Sequence, residues 1–366
     1  MVLPFLSIYL NQIVGMSLTQ CGIIMACYGL GSVSGAFLGG ILTDRVGYYQ
    51  VMLISLVLTS GSFFVVMQLK GFESLCVGFF AISFIADCFR PANLTAIEAF
   101  SKKENLTRSI ALIRLAINLG YAFGPFLGGY IAGMLGYNFL FIFNGASVLM
   151  AALFFYLFFR YKKKSVEKTD HTELNIQKMP WQDKPYLLFL MMWALVVIVF
   201  FQLIYIIPLF YKRGLGFDEA MVGLLMGLNG LLIFLIEMPL VYSIERYMKA
   251  TSLVVVGGLL IGLSVLAFAV FNNAFIAAGI FLLLITIGEI MSFPFSNTVA
   301  MSFSNDRNRG KYMGFYTMTF SMAHVIAPLV WMKIADLKGF DMVWYVGAAT
   351  CVFACTMIYL IKIKVA

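Results

Sequence analysis

Long runs of apolar residues, each broken by a short polar segment, dominate the chain. They fall at about 19–42, 48–69, 75–98, 108–133 and 139–159, then at 185–211, 220–243, 250–271, 274–301, 312–335 and 341–361. A shorter apolar remnant covers about 1–11. Apolar positions are continuous within each run, which excludes the alternation of a membrane β-barrel. About 20 apolar residues in helical conformation cross the hydrocarbon of a bilayer. The pattern therefore predicts an all-α polytopic membrane protein with eleven full spans and one stub. The long polar stretch near the middle divides it into an N-terminal helical half (1–160), a cytoplasmic linker (161–184) and a C-terminal helical half (185–366).

Composition agrees with the pattern. Of 366 residues, 62% are hydrophobic and 11% charged, too few charges to cover a soluble surface. That excludes an ordinary soluble enzyme, a disordered regulator and a nucleic-acid-binding domain. The net charge of +8 concerns topology. Eighteen Lys and Arg lie in one set of loops (43–50, 101–108, 160–184, 244–250, 305–311 and the C-terminus), against five in the opposite set (Lys70, Lys212, Arg213, Lys333, Lys338). The positive-inside rule then places the linker and the C-terminus in the cytoplasm of a multi-pass plasma-membrane protein, with the lipid bilayer as its partner and a monomer expected. The six cysteines lie within or beside apolar runs, where a free thiol acts as a small hydrophobe, and no Cys/His spacing fits zinc. No H-E-x-x-H, G-x-S-x-G or P-loop occurs, so no catalytic residue, metal or cofactor is expected.

The two halves repeat. Displaced by 203 residues, Pro91 meets Pro294, Thr95 meets Thr298, Phe100-Ser101 meets Phe303-Ser304, and Pro125 meets Pro328. Displaced by 201, Gly22 meets Gly223, Gly29 meets Gly230, and Asp44-Arg45 meets Glu245-Arg246. Two six-helix halves of like topology are a recurring plan of secondary transporters, with the substrate site between them. The same displacement puts the start of the first span about 16 residues before Met1, so the first helix is expected to be truncated.

Two motifs carry a family resemblance. Gly40-Ile41-Leu42-Thr43-Asp44-Arg45-Val46-Gly47 is similar to the signature between the second and third helices of the major facilitator superfamily. Gly120-x-x-x-Gly124-Pro125-x-x-Gly128-Gly129 matches the motif of the superfamily's twelve-helix drug/proton antiporter branch. The resemblance implies that Asp44 lies near the N-terminus of the eleventh helix, and that Gly40, Asp44, Arg45, Gly47, Glu98 and Arg114 form a cytoplasmic gate. The family's next basic pair is replaced by Tyr48-Tyr49, leaving Arg45, Arg108 or Arg114 as the partner of Glu98. Glycines four apart give a flat face for close helix approach, and Pro125 permits a bend. Arg90-x-x-Asn93-Leu94 partly resembles a further motif of that branch.

Ionisable groups inside a membrane are costly, about 2.5–3.5 kcal/mol at the helix centre on insertion scales, and usually face the bundle interior. Asp87 and Arg90, three apart in the fourth span, share a helical face and can pair. Glu289 stands near the middle of the tenth span, without a cationic neighbour in sequence; Glu237 lies in the eighth. Asp87, Glu289 and Glu237 are the proton-coupling candidates. Arg90, Asn118, Gln202, Tyr205, Asn229, Asn297 and His324 are the candidates for lining a substrate cavity.

The function expected is a secondary active transporter exporting small amphipathic compounds in exchange for protons, by alternating access. Uptake of a sugar, peptide or organic anion with protons suits the same acids. A receptor built on a transporter fold is a third possibility.

Overall fold

The computed structural model describes residues 2–101, 106–160, 179–304 and 308–360. Helices account for nearly all of them, and no strand occurs among the described residues. In hydrocarbon every backbone N–H and C=O must find an internal partner, and a helix satisfies them within its own segment. The helices are α1 (Val2–Ile8), continued by a π-helical turn (Tyr9–Ile13), α2 (Leu18–Val46), α3 (Tyr48–Val66), α4 (Phe72–Asp87), α5 (Phe89–Phe100), α6 (Leu106–Leu135), α7 (Tyr137–Phe159), α8 (Lys184–Phe200), α9 (Gln202–Tyr205), α10 (Ile207–Arg213), α11 (Glu219–Ile244), α12 (Ala250–Val270), α13 (Ala274–Ser302), α14 (Arg309–Lys338) and α15 (Phe340–Leu360). Ten membrane spans meet the length and hydropathy required among the described residues. The 30-residue α6, about 45 Å long at 1.5 Å per residue, is also long enough to cross.

The helix ends follow local chemistry. Ser17 caps α2: its Oγ accepts from the Gln20 N–H at 3.2 Å, while Gln20 Oε1 accepts from the Ser17 N–H at 3.0 Å, a capping box. Asn273 Oδ1 caps α13 by accepting from the N–H groups of Phe275 and Ile276. Gly47, at φ 89°, turns the chain between α2 and α3 in a conformation that L side chains rarely adopt. Four further glycines share positive φ: Gly15, Gly136, Gly216 and Gly339. Gly15 and Gly216 are related by the repeat displacement of 201, Gly136 and Gly339 by that of 203. The internal repeat therefore extends to backbone conformation.

Two spans differ from the uninterrupted helices expected. The fourth is broken at Cys88 into α4 and α5. Pro91 has no N–H to give to the carbonyl four residues back, so the ladder fails just before it. The seventh is broken twice, at Phe201 and Ile206. Pro208 accounts for the second break. The first is held by tertiary bonding, because the Trp331 Nε1–H donates to the Ile198 carbonyl at 2.8 Å.

The described chain forms two compact units. The first is 1–172 together with 217–224; the second is 173–216 together with 225–366. In the first, α2 lies on α4 along a stripe of glycines: a Cβ at Gly31, Gly35 or Gly39 would strike the backbone of Phe80, Phe84 or Cys88. The Ser60 hydroxyl donates across from α3 to the Gly145 carbonyl of α7 at 2.8 Å. In the second unit, α12 is apolar all round and central. Gly257 faces Gly288 and Ser292 of α13, while Gly258 and Gly262 face Cys355 and Cys351 of α15. Phe210, Phe268, Phe281, Phe340 and Trp344 pack at ring separations of 4.8–6.3 Å.

Candidate functional site

In the first unit, the break between α4 and α5 leaves Asp87 at a helix end. Its carboxylate is 2.6 Å from Arg90 Nε and is also hydrogen-bonded by Ser32 of α2. Asp87 is buried, whereas the Arg90 side chain is 65% exposed. The pair is thus anchored at the acid and open at the base, so an anionic group can reach the guanidinium without displacing Asp87. Tyr28 and Tyr121 lie within electrostatic range of this cluster. A cavity of about 190 Å³ adjoins it, lined by Tyr28, Thr59, Phe63, Phe79, Ala86 and Asn144 among others. It is smaller than the roughly 300–1,000 Å³ of sites for drug-sized ligands. Asn118 is half-buried on α6.

In the second unit, α11 and α13 bring polar groups together. Asn229 Nδ2 donates to Thr286 Oγ1 at 2.9 Å, and Thr286 Oγ1 donates on to the Leu282 carbonyl at 2.6 Å. The Glu289 carboxyl lies beside Asn229, with Glu237 close enough to act on it electrostatically. Glu289 Oε2 is buried with no hydrogen-bond partner. An unpaired buried polar atom costs about 1–3 kcal/mol; a proton or a passing donor on that oxygen would relieve it.

A second polar group sits where the seventh span is interrupted. The Tyr205 hydroxyl is 2.7 Å from His324 Nδ1, and the Phe201 ring lies 4.2 Å from the imidazole. Tyr205 is fully buried and His324 half-buried. Gln202 is enclosed against Gly347, both amide atoms lacking a hydrogen-bond partner; it is packed inside the unit. Asn297 is exposed on α13.

The structure thus brings Asp87 to Arg90, Tyr205 to His324, and Glu289 to Asn229 and Glu237. Sequence reasoning missed Ser32, Tyr28 and Thr286. Thr286 was detectable as the residue one turn before Glu289 on the same face, and Ser32 by its place beside Gly31 in the packing stripe.

Of the gating candidates, Asp44 and Arg45 are exposed, Gly47 makes the turn and Gly40 faces open space. The glycines of α2 that approach a neighbouring helix closely are Gly31, Gly35 and Gly39. The side chains of Glu98, Arg108 and Arg114 lie outside the described residues. The α6 motif meets the first turns of α11: Gly129 faces Gly223, and a Cβ at Gly223 would lie 2.5 Å from the Pro125 carbonyl oxygen. Tyr137 donates to Glu219 Oε1 at 3.1 Å beside it. Gly120 has open space around it.

Comparison with known proteins gives one architecture. A profile described as Major Facilitator Superfamily matches residues 1–328. Quinolone resistance protein NorA of Staphylococcus aureus is 24% identical over 353 residues, covering 92% of this chain and 86% of that one. A Na(+), Li(+), K(+)/H(+) antiporter of Planococcus maritimus is 23% identical, covering 90% of this chain and 84% of that one. The crystal structure of a D-xylose-proton symporter superposes with a TM-score of 0.79 at 16% identity, covering all of this chain and 95% of that one.

Proposed function

The chain belongs to the Major Facilitator Superfamily, whose members are membrane transporters rather than enzymes, and on that premise we propose that it exports small amphipathic compounds in exchange for protons. One observation carries the coupling: Glu289 is a membrane-embedded carboxyl with an unpartnered oxygen, between Asn229 and Glu237. An acid placed there can hold a proton from one side and release it to the other as the transporter changes state. Loading with proton or with substrate then shifts the equilibrium between inward and outward states by differential affinity. Asp87 and Arg90 are the second coupling group, and Tyr205, Asn229 and His324 contribute polar contacts to substrate. Asp44, Arg45, Glu98 and Arg114 act at the cytoplasmic gate. Similarity to a quinolone resistance protein and to a cation/proton antiporter supports outward exchange against protons.

In proteoliposomes, Glu289→Gln should abolish flux driven by a pH gradient while leaving substrate binding within about twofold. Undiminished gradient-driven flux would remove Glu289 from the coupling. Uptake together with protons is the second reading, favoured by the exposed Arg90 guanidinium, which suits an anionic nutrient. Accumulation in cells, rather than efflux, would establish it.

A further inference from the structure

α2 and α4 pack in a strict register. Gly31 meets Phe80, Gly35 meets Phe84 and Gly39 meets Cys88, a constant offset of 49 residues that advances four at a time on both helices. The two helices are therefore parallel, and close enough that a Cβ at Gly35 would lie 2.8 Å from the Phe84 Cα. One step back along the same stripe, the offset sets Cys27 opposite Cys76. Their thiols are in hydrogen-bonding contact, and both side chains are half-buried, unlike the four other cysteines, which are fully buried.

We propose that Cys27 and Cys76 are an oxidisable dithiol that staples α2 to α4 through a reversible disulfide. A disulfide needs Cα atoms about 4.4–6.8 Å apart with Cβ vectors converging; the close glycine packing one step along the stripe and the contact between the two thiols are what bring Cys27 and Cys76 toward that geometry. Cys351 and Cys355, four apart on one helix, do not approach it, since their Cβ vectors run side by side. The oxidant is a low-molecular-weight or protein disulfide, RSSR. One cysteine thiolate attacks a sulfur of RSSR and expels RS⁻, forming a mixed disulfide. The second thiol, on losing its proton, displaces the remaining RS⁻. The two cysteine protons end on two RSH, one S–S bond is broken and one formed, and RSSR is reduced as the dithiol is oxidised. Cys27 lies nine residues into α2 and Cys76 four into α4. On the orientation inferred from loop charge, both lie in the outer halves of their helices, toward the compartment where disulfides persist. The staple closes a loop that contains all of α3.

The test uses the full chain in detergent micelles, treated with 4,4′-dithiodipyridine and digested without reduction. Mass mapping should find the Cys27 and Cys76 peptides joined, two hydrogens lighter than their sum and separated by dithiothreitol. The oxidised protein should melt several degrees higher than the reduced one, a difference absent in Cys27→Ser and in Cys76→Ser. Pyridyl adducts on the two cysteines separately, or two thiols left unmodified, would overturn the proposal using the unmutated protein alone.

Discussion

Burial without compensation decides what individual residues contribute. Asp87 is buried and held by Arg90 and Ser32, but its guanidinium partner is mostly exposed on the unit's surface. Removing Arg90 leaves a carboxylate with one hydroxyl donor in place of a cation. Arg90→Gln should therefore destabilise the protein by about 1–3 kcal/mol, the cost of leaving a buried group unsatisfied. Asp87→Asn combined with Arg90→Gln should restore part of that loss, because the buried charge is then gone. Thermal melting in micelles measures both; equal losses in the single and double variants would make the ion pair irrelevant to folding. The pairing of Asp87 with Arg90 was legible in their three-residue spacing. The surroundings of Glu289 were not, because Asn229 and Glu237 lie more than fifty residues away in sequence and only the register of α11 on α13 brings them together.

Glycine spacing sets the helix pairs, and its meaning depends on the partner rather than on the motif. Gly35 and Gly40 lie on the same helix, and both look like packing glycines in sequence. Gly35 presses on the Phe84 backbone, which cannot retreat as a side chain can, whereas Gly40 has nothing within 4 Å. Gly35→Val should lower stability by about 1–3 kcal/mol through overpacking. Gly40→Ala should be neutral or stabilising by up to about 1 kcal/mol, as alanine is the better helix former. Melting temperatures of the two variants in one detergent check the contrast, and similar losses would mean that Gly40 packs against something. The spans themselves were legible, since apolar length is a one-dimensional signal. Their interruptions were legible only where proline marks them, at Pro91 and Pro208. The break at Phe201 has no local cause; it depends on Trp331, 130 residues on, whose indole N–H satisfies the carbonyl that the ended helix releases.

At the scale of the whole molecule, charge fixes which way the spans run. The bias of eighteen basic residues against five is spread over five loops and the C-terminus rather than concentrated in one, so no single loop sets the orientation. Each lysine or arginine opposes translocation of its own loop, and acidic residues contribute little. The segment 160–184 alone holds seven of the eighteen, and it follows a half that already has basic loops on the same side. Neutralising Lys162, Lys163 and Lys164 to Gln leaves fifteen against five, so the orientation should survive. A fluorescent protein fused after Ala366, which matures only in the cytoplasm, should therefore shine in both the parent and the triple variant, while an alkaline phosphatase fused there should stay inactive. Active phosphatase in the parent would reverse the orientation, putting the Asp44 turn outside and Cys27 and Cys76 on the reducing side. Active phosphatase in the variant alone would make the linker the dominant determinant, with the loops of each half too weakly charged to hold their side unaided.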